Sequence, residues 1–236
     1  MSGGNPACVI PLDSWLEDDL MLSISKINSV AETAFFILKD DTILLRWFTP
    51  EIEMDLCGHA TLATAHCLNS ILNHPNKSIR FETKSGEITV DFKDDKYHMD
   101  FPTRIPLKSD LPKLISKSLN LKPLEVYKSR DYLLIYDSEE DIKKIKINTN
   151  YFNQINLDPG GVVVTAKGTN SDFVSRYFTP QSTILEDPAT GSSHCSLIPF
   201  WSKRLNKTHL ISIQLSKRIG EFECINHSKR VTVIGS

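Results

Sequence analysis

A repeat constrains this chain more than any other feature. Arg46-Trp-Phe-Thr-Pro50 returns at an offset of 130 residues as Arg176-Tyr-Phe-Thr-Pro180. Each copy leads through a polar turn into a run of small residues. The first run is Asp55-Leu-Cys-Gly-His-Ala-Thr-Leu62, the second Glu186-Asp-Pro-Ala-Thr-Gly-Ser192. Carried on without a gap, the same offset sets Cys57 on Asp187 and Gly58 on Pro188. Two copies are too few for a solenoid, so the pattern predicts one fold built twice. The expected halves are 1–104, with the first central helix, and 105–236, with the second. The proline-bearing stretch 102–112 falls between them.

Each copy reads as a short aromatic strand, a Thr-Pro break and a helix. Pro50 and Pro180 stop the strand because proline offers no N–H to a ladder. Ala60 to Leu72 and Gly191 to Leu205 carry the small and apolar spacing of buried helices. A helix start leaves free N–H groups and partial positive charge. Two such starts facing a cleft would bind a small anion, and the plainer reading is a pair of ordinary strand-loop-helix units.

The remaining elements follow from patterning. Leu16, Leu20, Ile24 and Ile27 recur at helical spacing, with Asp13 or Ser14 placed to cap and Glu17 placed for a capping box. Ala31 to Ile37 predicts a strand entered through a polar residue, pairing with Leu44 to Phe48 across a turn at Asp40-Asp41. Ile79 to Thr83, Glu87 to Phe92 and Tyr97 to Phe101 predict a meander. In the second half a helix near Leu111 to Leu119 precedes a strand at Tyr132 to Tyr136. The turn Asp158-Pro-Gly-Gly161 leads into a buried strand at Val162 to Thr165. Further strands are expected at Asp172 to Tyr177, Ile211 to Leu215, Glu221 to Cys224 and Arg230 to Ile234. Asp141 to Ile147 and Tyr151 to Ile155 fit neither period. The class is α+β, each half a curled, mostly antiparallel sheet around a central helix.

Composition narrows the function. A net charge of −2 over 236 residues carries no electrostatic footprint for nucleic acid or an anionic membrane. No apolar run reaches the roughly 20 residues of a membrane helix. The start lacks a signal-peptide pattern. Five scattered cysteines without a C-x-x-C pair imply reduced thiols, hence a cytoplasmic setting, and neither a disulfide frame nor a zinc site.

Glu32 is the leading candidate for chemistry. It borders the apolar run Ala34 to Ile37, where partial burial would raise a carboxyl pKa toward neutrality, as proton transfer requires. Otherwise it is a strand-end glutamate pointing to water. Asp187, extended by the following Pro188, sits in the loop before the second helix, as a cap or as a carboxylate acting on substrate. His59 lies in the matching loop of the first half. Ser192, Ser193 and His194 offer hydroxyls and an imidazole. No G-x-S-x-G, P-loop or dinucleotide fingerprint is present, and His59 with His66 does not suit a metal. Chemistry without cofactor or metal is the default.

These residues resemble the PhzF-like (phenazine biosynthesis-like) family, which shares its fold with diaminopimelate epimerase. The matching segments are Gly4-Asn-Pro-Ala7, Glu32-Thr-Ala-Phe35, Arg46–Pro50, Asp55–Leu62, Asp100-Phe-Pro102 and Glu186–Ser192, in family order. The resemblance implies a cofactor-independent isomerase of small anionic acids, working between two pseudo-symmetric halves and assembled as a homodimer. The family's catalytic glutamate falls on Glu32, its histidine on His59, its aspartate and serine on Asp187 and Ser192. Gly58, Ala60, Gly191 and Ser193 would supply the rest of the substrate site. In the related epimerases two cysteines flank the substrate carbon. Here Asp187 is expected opposite Cys57, which excludes a two-thiol mechanism. Members commonly carry a strand ahead of Gly-Asn-Pro-Ala, so an open edge is expected in the first half. Two other readings are a catalytically idle fold binding a small acid or protein, and a racemase-like reaction using Cys57.

Overall fold

Thr33, Ala34, Phe35 and Phe36 are consecutive and all buried. A strand buries successive residues only when both of its faces are covered. Helices from the segments on either side supply that cover, and the rest of the first unit is arranged around this strand. The computed structural model describes residues 4–39, 41–157, 160–180 and 182–235. It divides into two units, Asn5–Pro102 with Thr232–Ser236, and Thr103–Val231 with Met1–Gly4.

The first unit runs β1 (Ala7–Pro11), α1 (Asp18–Asn28), β2 (Glu32–Lys39), β3 (Thr42–Phe48), β4 (Glu53–Met54), α2 (Gly58–His66), β5 (Ser78–Thr83), β6 (Gly86–Lys93) and β7 (Lys96–Pro102). Its strand order is β1-β2-β3-β5-β6-β7, with β1·β2 and β3·β5 parallel and the rest antiparallel. Both α1 and α2 touch β2. The Asp94-Asp95 turn joins β6 to β7 with both residues at positive φ, as a two-residue hairpin of this hand requires. The turn expected at Asp40-Asp41 includes Asp40, and that at Asp158–Gly161 includes Asp158 and Pro159, which lie outside the described residues.

The second unit continues with β8 (Leu107–Lys108), α3 (Lys113–Ser118), β9 (Glu125–Lys128), β10 (Tyr132–Ile135), α4 (Glu139–Lys144), α5 (Thr149–Phe152), β11 (Val162–Lys167), β12 (Phe173–Phe178), β13 (Glu186–Asp187), α6 (His194–Leu205), β14 (His209–Gln214) and β15 (Gly220–Asn226). β16 (Arg230–Gly235) begins in this unit and ends in the other. The order β10-β11-β12-β14-β15 alternates parallel, antiparallel, parallel and antiparallel, as β1-β2-β3-β5-β6 does. Beyond β10 lie β9 and β8, whereas β1 ends its row among the described residues. The apolar core of this unit gathers Ile115, Leu134, Ile142, Phe152, Val162, Val164 and Phe178.

The repeat is real, but its register shifts inside the loop. Thr49 N–H donates to Ile52 O, and Thr179 N–H to Leu185 O, closing loops that differ by three residues. Phe48 then pairs with Glu53 as Phe178 pairs with Glu186. Beyond the loop the working offset is therefore 133 (186 − 53), which sets Gly58 on Gly191, His59 on Ser192 and Cys57 on Thr190. The expectation that Asp187 stands opposite Cys57 is corrected: Asp187 matches Met54, and Thr190 holds the position of the thiol. One hydrogen bond confirms it. Thr61 Oγ1 donates to Cys57 O, and His194 Nδ1 meets Thr190 O, 133 residues on.

Helix α1 differs from expectation. It starts at Asp18 behind Glu17, whose side chain makes no capping bond, so neither Asp13 nor Ser14 caps it. Trp15 and Leu16 instead pack on the cluster of Met21, Phe35 and Phe48, which holds the chain extended past the predicted start. The buried face carries Met21 and Ser25, leaving Leu20 and Ile27 exposed. Helix α6 contains Pro199, which has no N–H for Cys195 O; the backbone N–H of Arg104 takes that carbonyl at 2.9 Å. The last turn of the 60–72 helix widens to π geometry over Cys67–Ile71. No helix is long and apolar enough to cross a membrane.

Candidate active site

In the first unit the register of β2 on β3 and the start of α2 bring Glu32 to His59. Glu32 Oε2 lies 3.1 Å from His59 Nε2, with both side chains nearly nine-tenths buried at 12% and 11% exposure. Both atoms are shut off from solvent, yet neither completes a hydrogen bond among the described residues. Buried polar atoms with no partner beyond each other are costly to hold. The other ring nitrogen, Nδ1, meets Asn5 Nδ2 at 3.3 Å and Cys57 Sγ at 3.6 Å.

The electrostatics of this cluster set its protonation. Burial alone disfavours a charged imidazole, but Cys57 and Glu32 beside it reverse the balance and hold the His59 pKa well above the usual value. Burial pushes the Cys57 thiol up, Glu32 adding to the effect and His59 opposing it. Glu32 and Cys57 thus push the imidazole toward its charged form, while burial keeps the thiol toward its protonated form. The donor atoms of Glu32, Cys57 and His59 lie within 4.8 Å of one another, a spacing that a metal ion could use. Within this triangle Nε2 faces Glu32 and Nδ1 faces Cys57. Gly58 and Ala60 flank His59 in the first turn of α2, and both are buried.

Asp187, Gly191, Ser192 and Ser193 belong to the second unit. Asp187 is buried at the end of β13 and accepts the Thr190 hydroxyl. Gln214 locks this loop in place: its Oε1 accepts Thr190 N–H at 2.8 Å and its Nε2 donates to Asp187 O at 2.7 Å. Gly191–Ser193 form a tight turn ahead of α6, so the helix begins three residues later than its small-residue run. Ser193 Oγ is spent on Thr190 O at 2.8 Å. His194 leaves the candidate list: its Nδ1–H donates to Thr190 O at 2.9 Å, and its Nε2 accepts from Ser212 Oγ at 2.8 Å. Burial lowers its pKa to about 4, which makes it a neutral core residue.

Two residues of the second unit escaped the sequence reading. Arg130, in the turn between β9 and β10, donates to Ser192 Oγ at 3.0 Å and forks onto Asp131 at 3.2 and 3.3 Å. Neither lies in the repeat or in a motif. The one available signal was an adjacent Arg-Asp pair just before the apolar run Tyr132–Ile135.

Comparison with known proteins places the chain. The family model described as Phenazine biosynthesis-like protein (PhzC-PhzF) matches residues 1–236. An uncharacterized isomerase of Pseudomonas aeruginosa is 43% identical over 232 residues, covering 98% of this chain and 89% of that protein. A crystal structure of a PhzF-family phenazine biosynthesis protein from Enterococcus faecalis superposes with a TM-score of 0.88 at 40% identity, covering 99% of this chain and 90% of that one. A predicted epimerase from Pseudomonas aeruginosa, 15% identical, shares the fold alone, with a TM-score of 0.73 over 99% of this chain and 90% of that one. The fold is the epimerase-like α+β arrangement, and the chain belongs to the phenazine biosynthesis-like (PhzF) protein family.

Proposed function

We propose that this chain is an isomerase that moves a proton between carbons of a small carboxylic acid, with Glu32 taking up and returning the proton. The observation that carries this reading is the Glu32–His59 pair, buried and within 3.1 Å, with neither facing atom hydrogen-bonded. In the forward step a substrate C–H bond breaks and its electron pair enters the adjoining unsaturated system. The proton passes to the Glu32 carboxylate. In the second step Glu32 returns it to another carbon and the electron pair closes the new C–H bond. His59, held toward its charged form, stabilises the ionised glutamate and the developing oxyanion. Cys57, kept protonated by burial, is the weaker base.

Gly58 and Ala60 offer backbone N–H groups at the start of α2 to the acid's carboxylate. The proposal extends to Asp187, Gly191, Ser192 and Ser193 acting on the same acid. These steps consume no cofactor, and the working form is proposed to be a homodimer. The isomerase names of the relatives support the reaction class.

The test is deuterium incorporation in D2O from a pool of 2-amino, 3-hydroxy and unsaturated acids. Wild type labels at least one acid, while Glu32→Gln labels it at least roughly a hundredfold more slowly, the scale of positioned acid–base catalysis. A folded Glu32→Gln that exchanges as fast as wild type overturns the assignment. Exchange that survives dialysis against a chelator supports the absence of a metal.

A further inference from the structure

Asp131 is almost wholly buried and collects three donors. Gly161 N–H reaches Asp131 Oδ1 at 2.9 Å, Tyr177 OH at 3.0 Å, and the Arg130 guanidinium forks onto both oxygens. Two close approaches make this possible. A Cβ on Gly161 would lie 2.5 Å from the Tyr177 ring, and one on Gly160 would lie 3.0 Å from Arg130 O, so glycine at both positions leaves room for the ring and the carbonyl. Tyr177 stays protonated, since burial and the Asp131 carboxylate raise its pKa well above the usual value, and it acts as a donor. Asp131 thereby ties this turn to the entry of β11 and to Tyr177 of β12, and Arg130 is held by the same carboxylate. Such an ion pair is a weak source of net stability, but its forked geometry holds the guanidinium in one orientation.

What it fixes is Ser192. Arg130 can only donate, so Ser192 Oγ is the acceptor in the 3.0 Å contact. Among the described residues this is the hydroxyl's one hydrogen bond, and its proton is left to donate elsewhere. An oxygen that accepts from a cation is a stronger donor. We infer that Arg130, clamped by Asp131, is a positioning residue that turns the Ser192 hydroxyl into a dedicated donor for one oxygen of a carboxylate. The inference rests on the reading that Ser192 contacts the substrate acid. It adds a specificity element: acids are held through a polarised hydroxyl, while the arginine's own charge is neutralised by Asp131.

The experiment is saturation-transfer NMR of the same acid pool against wild type, Ser192→Ala, Arg130→Met, their double variant and Arg130→Lys. Thermal melts identify variants that fail to fold. Arg130→Lys keeps a cation beside Asp131 but loses the planar fork, so it tests positioning where Arg130→Met strands Asp131. Wild type is expected to bind at least one acid, with Ser192→Ala and Arg130→Met each roughly tenfold to a hundredfold weaker. The double variant should be no weaker than either single one. Arg130→Lys should fold and bind with intermediate strength. Additive losses, or an Arg130→Lys that binds as wild type, overturn the inference. So does a wild type that binds none of the acids. Where wild type exchanges an acid and Glu32→Gln does not, additive losses here overturn the inference and leave the Glu32 assignment standing.

Discussion

His59 and His194 each sit in the first turn of a central helix, yet their environments drive them apart. His59 has a carboxylate at one nitrogen and is pushed toward its charged form; His194 has only neutral partners and aromatic walls and is pushed to about 4. Its ring lies 4.3 Å from that of Phe222 and 6.0 Å from that of Phe173. The folded pKa of His194 is below its unfolded value of 6.5. Its contribution to stability is therefore complete above pH 6.5 and is lost as the pH falls toward 4, about 3 kcal/mol in all. Denaturation midpoints between pH 7 and 4 should fall steeply for wild type and more gently for His194→Gln, whose side chain does not titrate. A parallel decline in both would assign the acid sensitivity elsewhere. At this scale the sequence was half legible. The contact of Glu32 with His59 joins two candidates that stood out in the sequence for different reasons, a carboxylate beside an apolar run and an imidazole beside Gly58. The split between His59 and His194 depended on which residues face each ring across the fold, and Arg130 and Asp131 came from a turn with no pattern of its own.

The strand-loop-helix units share a clamp. Arg46 forks onto Glu53 at 2.7 and 2.9 Å, Arg176 onto Glu186 at 2.7 and 2.8 Å, and each guanidinium lies about 5 Å from the ring two residues on, Phe48 or Phe178. Burial alone would raise the Glu53 carboxyl, but hydrogen bonds from Arg46 and Lys84 hold it below the usual range. The copies differ in what else they hold. Arg46 adds an exposed Asp18, while Arg176 donates to Ile142 O and Ile145 O at the end of α4. Arg176→Met should thus cost about 3 kcal/mol, the scale of a partly buried pair broken on one side, and loosen α4 as well. Urea denaturation should show Arg46→Met as the milder change, and hydrogen exchange should show α4 losing protection only in Arg176→Met. Equal losses without any change in α4 would rule out the capping role. The repeat that exposed these clamps was visible as letters, but an insertion of three residues in a loop cannot be placed by matching letters; the strand pairing placed it. Elements with strong periods, such as β2, β3 and the β5–β7 meander, were legible. The short polar β9 was not, and α1 was misplaced because packing of Trp15 and Leu16 outweighed the local capping signals.

Across the molecule, the two units repeat the same alternation of parallel and antiparallel pairings, which follows from one strand-loop-helix grammar used twice. That architecture was legible from the duplicated motif, and it agrees with the family to which the chain belongs. The division of the last strand was not legible: Val231 falls in one unit and Thr232 in the other, with β7 next to β16 in the strand order. A fragment ending at Pro102 therefore leaves β7 with an open edge. Expressed alone, 5–102 should aggregate or unfold without a cooperative transition, and joining 232–235 through a short linker should restore a sigmoidal urea curve. A cooperative transition in the unlinked fragment would show that the final strand is dispensable. The same division sets a clock on biosynthesis. The ribosome makes 5–102 first but delivers the closing strand only after 103–231, so the earlier-made unit must wait, incomplete, until the other has been made. A product that lacks 232–235 then exposes β7 as a sticky edge.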